Sequence, residues 1–248
     1  MNTMLSREVA KKVLEVVDAG LVSGKGKPIP GQMCVEAAVC YAMGLPHSDE
    51  PKCVGSAVRG FKIRLNDSAW PTNEDRTKGM RKLAIAQLGS DTIDQMAFAK
   101  HVGLECQKRI LPLALRRAAS FKGPFAEQLE AAAVVCEAST TNEEAEAATL
   151  AAREVTRQSR ADAYAYANAD ADADANADAD ANADAYAYAD ADAYANADAY
   201  AYANDYADAY AYADAAFRLQ VLNLTAEIGL EALIACKSPG CEWLDLCD

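Results

Sequence analysis

The chain has 248 residues, 52% hydrophobic and 25% charged, a balance that suits one or two folded domains and excludes a wholly disordered polymer. No run of about eighteen apolar residues is present for crossing a bilayer, and MNTMLSREVAKKVLEVV lacks the apolar core and small-residue cleavage site of a secretory signal. The formal net charge of −13 lies in one segment: residues 161–216 hold 13 Asp and no Glu, Lys or Arg, and setting those aside leaves 24 acids against 24 bases.

A neutral body with an anionic insert is expected to repel nucleic acid and anionic membranes, which are normally bound through basic patches. The expected location is the cytoplasm, where the eight cysteines remain thiols.

In chain order, Val9, Val13, Val16 and Val17 fall on one face of a first helix. GLVSGKGKPIPG is a loop. Gln32 to Met43 is nearly apolar throughout and predicts a central buried helix. CVGSAVRGFKIRLND, a turn-like SAWPTNEDR and the basic amphipathic RTKGMRKLAIAQLG follow. Thr92-x-x-Gln95 has the form of a capping box opening a long helix bent at Pro112, and Thr141-x-x-Glu144 forms a second.

From Ala161 to Ala215 every odd position is Ala except Asp205, and the even positions are Asp, Asn or Tyr. Strict alternation marks a strand, yet Ala, Asp and Asn are depleted in sheets, and no Gly or Pro occurs between Phe125 and Ile228 to turn one. Half of the positions carry the best helix former, and the flanks are helical. The expected fold is therefore all-α, an N-terminal helical domain plus a long Ala-rich helical arm, or a hairpin turning near Asn204–Asp205. A β-solenoid or stacked-strand repeat is the alternative. The segments are 1–122 as globular domain, 123–160 as helical connector, 161–216 as repeat, and 217–248 as C-terminal helix with a Cys-containing tail.

EAAVCYAMGLPH, CVGSAVRGFKIRLNDSAW and RKLAIAQLGSDTID, with the closing WLDLC, resemble a family of uncharacterised bacterial and phage proteins. Its members join such a domain to an Ala-rich, Tyr/Asp-punctuated stretch before a short C-terminal helix. The resemblance implies an all-α fold and carries over no catalytic residue.

Cys34, Cys40, His47 and Cys53 are ligand types suited to Zn²⁺, but no pair has the two-to-four spacing of structural zinc sites. Cys236, Cys241 and Cys247 likewise lack a CxxC. Nucleophilic pairs would join Cys40 or Cys53 to His47, or Cys106 to His101. GLVSGKG fails the phosphate-loop spacing, which leaves Lys25 and Lys27 as loop solvation.

Among Arg59, Lys62, Lys78 and Lys82, the candidate ligand-binding residues are Arg64, Asn66, Asp67, Trp70, Arg76 and Arg81, since Arg and Trp anchor interfaces. In the repeat, Tyr186, Tyr188, Tyr194, Tyr200, Tyr202, Tyr210 and Tyr212 suit adaptable contacts. Its Asp residues could hold divalent cations weakly, and no cofactor is expected. The expected role is non-catalytic: binding a protein partner or forming a homo-oligomer through the acidic arm. The alternatives are an enzyme or small-ligand site within residues 30–85, and a β-rich scaffold that assembles edge to edge.

Overall fold

The computed structural model describes residues 5–120, 123–167 and 215–248. These are all-α: they contain no strand, and their β-type pairing is limited to isolated bridges of Met33 with Leu21 and Gly26. The chain divides into two compact units, Met1–Val102 with Ala207–Asp248, and Gly103–Tyr206. These units cut the chain differently from the segments read at 122 and 217. The first boundary falls at Gly103 inside the helix Gln95–Glu105, and the C-terminal helix shares a core with the N-terminal ones.

In the first unit, α1 (Arg7–Asp18) opens where Val9 N donates to the Ser6 hydroxyl, and it buries Val9, Val13, Val16 and Val17 as the spacing predicts. Helix α2 (Val35–Ala42) is shorter than the Gln32–Met43 expectation, because Met33 pairs with the loop and the Cys34 sulfur caps the helix by accepting from Ala37 N at 3.4 Å. Helix α3 spans Ser56–Asp67 and α4 spans Asn73–Ala86. The supposed turn NEDR is the first turn of α4. Asp75 N donates to Thr72 Oγ1 at 3.0 Å, and two acids sit at the positive end of the helix dipole.

Helix α5 (Gln95–Glu105) is not capped by Thr92, which lies in a 3-10 turn. Asp94 caps it instead, its Oδ1 accepting from Met96 N at 2.9 Å and Ala97 N at 3.0 Å. Gln95 turns back, with Nε2 donating to Ser90 O at 2.6 Å and Oε1 accepting from Ala57 N. Phe98 then meets Phe61 of α3 edge to face, ring centroids 5.8 Å apart.

The last helix of the chain is labelled α9 (Ala215–Ala235). It packs on α3 and α4, burying Val221, Leu222, Ile228 and Leu233, and a 3-10 segment (Pro239–Cys247) packs on α4 and α1. Gly240 allows that closure. A Cβ there would lie 2.1 Å from the Ile85 carbonyl oxygen, while Gly240 N donates to Leu88 O at 2.7 Å.

The second unit begins in the last turn of α5 and passes through a π-helical turn (Cys106–Ile110) into α6 (Leu111–Ala119), α7 (Ala126–Ala138) and α8 (Asn142–Ala167). Where a bend at Pro112 is expected, the chain has this π turn just before it. Pro112 stands in the first turn of α6, where its missing N–H is tolerated. Helices α6 and α7 pack together, and Arg116 joins them by donating to Glu130 and Glu137 at 2.8 Å each.

The capping box at the start of α8 is present in both directions. Glu144 N donates to Thr141 Oγ1 at 3.2 Å, and Thr141 N donates to the Glu144 carboxylate at 3.3 Å. Helix α8 buries Ala145, Ala148, Ala152 and Thr156, a narrow seam against α7. It runs on through 161–167, the first residues of the repeat. The Tyr positions from Tyr186 to Tyr212, the turn at Asn204–Asp205 and the stacked-strand alternative lie outside the described residues.

Candidate functional site

The polar residues singled out on α3 and α4 are brought together in the first unit, but most of them face the protein. Asn66 is fully buried: its Nδ2 donates to Val22 O at 2.9 Å and to Asp67 Oδ1 at 2.7 Å, and its Oδ1 accepts from Val35 N at 3.4 Å. Asp67 Oδ1 also accepts from Gly24 N at 2.7 Å. Arg76 is buried, with Nε donating to Asn66 O at 2.7 Å and Nη1 donating to Asn73 Oδ1. Trp70 is buried too, its indole N–H donating to Leu65 O at 2.7 Å.

Arg81 stands apart from this network. It forks onto Asp18 of α1 at 2.7 and 3.1 Å, and its Nη1 donates to Cys247 O at 2.6 Å. Arg64 is exposed. Asn66 and Asp67 therefore brace loop 20–34, Trp70 and Arg76 hold the end of α3, and Arg81 fastens the C-terminal segment. Four buried or engaged donors hold backbone rather than point at a cleft.

The sequence reading missed the pair that dominates the electrostatics of this unit. Glu36 of α2 and Lys62 of α3 are both 0% exposed, with Nζ 3.1 Å from Oε1. The contact is an ion pair without aligned hydrogen-bond geometry, and neither carboxylate oxygen nor Nζ has a hydrogen bond to any other described residue. Burial raises the Glu36 carboxyl above its ordinary pKa and lowers the Lys62 ammonium, and each charge partly offsets the other's shift. The signal was in the sequence: MCVEAAVCYAM holds one acid in an otherwise apolar helix, and a charge so placed requires a partner.

Cys34, Cys40 and Cys53 lie within electrostatic reach of Glu36. Burial pushes each thiol up to about 11, and the nearby Glu36 carboxylate pushes the same way. Cys106 is pushed up to about 12 by burial. All eight cysteines are unpaired thiols. A nucleophilic Cys–His pair needs a thiolate, and these environments oppose one. His47 is engaged elsewhere, its Nε2 3.1 Å from Gly26 O, while the Cys53 thiol lies 3.7 Å from Met43 Sδ. Among the described residues no three His, Cys, Asp or Glu side chains are grouped to hold a metal ion, so Cys34, Cys40, His47 and Cys53 are not assembled as ligands. No helix among them is long and apolar enough to cross a membrane.

Comparison with protein-family models, curated proteins and solved structures finds no match for this chain.

Proposed function

We propose that the protein is a non-catalytic cytoplasmic binding protein that engages a protein partner or a second copy of itself through the acidic repeat, residues 161–216. One observation carries this reading: the entire net charge of −13 sits in that segment, interleaved with ten tyrosines, while the rest of the chain is neutral. Two further features support it. The residues nominated for a small-ligand site, Asn66, Asp67, Trp70 and Arg76, spend their hydrogen bonds on bracing backbone. The candidate thiols are shifted away from the nucleophilic form. The resemblance to bacterial and phage proteins with a comparable Ala-rich stretch belongs to the same proposal.

Replacing every Asp of the repeat by Asn, in parallel with deletion of 161–216, tests the reading. Sedimentation and partner capture should both change relative to the parent chain. An oligomeric state and a binding profile unaltered by both variants would remove it.

A further inference from the structure

The loop between α1 and α2 is far more constrained than a solvated connector requires. Three elements outside it hold its backbone: Thr77 of α4 accepts from Leu21 N at 2.9 Å, Asp67 of α3 accepts from Gly24 N at 2.7 Å, and the His47 imidazole meets Gly26 O at 3.1 Å. Within the loop, Lys27 N donates to Gln32 O and Ile29 N donates to Lys27 O, both at 2.7 Å, the second a tight turn centred on Pro28. Gly26 stands at φ +67, where a Cβ would lie 2.0 Å from Gln32 O, so the tight return at this point requires glycine.

What the loop presents is apolar and basic. Lys25, Lys27, Pro28 and Pro30 are exposed, and Ile29 between the prolines is 47% exposed. Tyr41 at the end of α2 and Leu45 in the turn that leads to His47 are 43% and 37% exposed. Neither lysine has a carboxylate in ion-pair range among the described residues. Phosphate is a poor occupant: the amides of Val22, Gly24 and Lys27, which a phosphate cradle would need, already donate to protein oxygens. A fixed surface of this kind loses little freedom on binding. It suits a partner that is anionic, aromatic and repetitive.

We propose that loop 22–33, with Tyr41 and Leu45, is the surface on which the Asp/Tyr repeat of a second copy of this chain docks. The proposal rests on the self-assembly form of the reading above and names where the repeat binds. The chain itself supplies the complementary chemistry: 13 Asp for the lysines and ten Tyr for the apolar rim. Exposed ion pairs contribute little singly. Asp recurring at alternate positions offers many equivalent registers, so weak contacts accumulate through effective concentration.

The test is sedimentation velocity of the full chain against K25E/K27E, I29D and the version with every repeat Asp changed to Asn, each checked by far-UV circular dichroism for intact helix content. The parent chain is expected to associate, with an association constant that weakens on the order of tenfold as added salt shortens the screening length from about 10 to about 3 Å. K25E/K27E, I29D and the Asn version are all expected to sediment as monomer. If K25E/K27E and I29D associate like the parent while the Asn version does not, the loop assignment is overturned and the repeat reading stands. A parent chain that is monomeric at every concentration, or an Asn version that still associates, overturns the loop assignment together with the self-assembly reading.

Discussion

Removing Lys62 tests whether the buried pair between α2 and α3 is costly in parts and replaceable as a whole. At 3.1 Å and an effective dielectric of about 20, the attraction between the two charges is about 5 kcal/mol. Lys62→Met forfeits it and leaves Glu36 buried with no hydrogen-bond donor beside it. The expected loss is about 3–5 kcal/mol, or on the order of 10 °C in Tm. Glu36→Met with Lys62→Met removes both charges from a fully buried site and is expected to be neutral or stabilising by about 1–4 kcal/mol.

The single variant should also acquire a pH dependence. With the ammonium gone, Glu36 titrates well above its ordinary value when folded and near that value when unfolded. Between those two pKa values the folded state binds more protons, so stability falls as pH rises, with a limiting slope of about 1.4 kcal/mol per pH unit. For the parent, the lowered Lys62 pKa works in the opposite sense, restoring stability as pH climbs toward the ordinary lysine value. Urea unfolding followed by tryptophan fluorescence is the assay, since Trp70 and Trp243 both lie in the first unit and report on it. A single variant as stable as the parent, or a double variant as damaged as the single, would refute the reasoning.

Asn66→Ala should cost about 1–3 kcal/mol by stranding buried backbone groups at Val22 and Val35, and should speed hydrogen exchange at Gly24 and Lys27 as the loop loses its brace; unchanged exchange would show that the brace is unnecessary. Gly60→Ala, on an exposed position of α3 with nothing within 4 Å of the new Cβ, should stabilise by about 0.8–1 kcal/mol, whereas Gly240→Ala should destabilise strongly by driving the 3-10 segment off α4; thermal melts of the two variants should move in opposite directions. Native-state alkylation at neutral pH should leave Cys34, Cys40, Cys53 and Cys106 unmodified until denaturant is added, as peptide mapping of alkylated sites will show.

Local signals were legible where local physics decides. The stripe of Val9, Val13, Val16 and Val17 and the box formed by Thr141 and Glu144 depend on residues within two turns of one another, and both are present as read. Thr92 looked like a cap because its spacing to Gln95 was right. Asp94 displaced it because a carboxylate placed directly before the helix satisfies two amides. Long-range choices were not legible. Gly103 is the single local signal beside the edge of the unit at Val102 and is too weak to break α5, and nothing near Phe217 indicates that α9 will lie on α4. The polar residues of α3 and α4 were noticed for the right reason, an unusual density of Arg, Asn and Trp, but density does not show which way a side chain turns. Glu36 and Lys62 illustrate the reverse case: Glu36 is a single charge in an apolar helix that belongs to no motif, and Lys62 stands among the arginines of α3 with nothing in the sequence to show that it alone turns inward onto Glu36.

Helix α4 finds a principal covering layer in α9 and the 3-10 segment, which begin about 130 residues after it ends. At a translation rate of roughly 5–20 residues per second, that delay is roughly 6–26 s. During synthesis the ribosome therefore exposes a half-built nucleus whose apolar flank on α4 waits for material not yet polymerised. Nascent chains arrested before residue 215 should thus bind holdase chaperones that the finished chain no longer attracts.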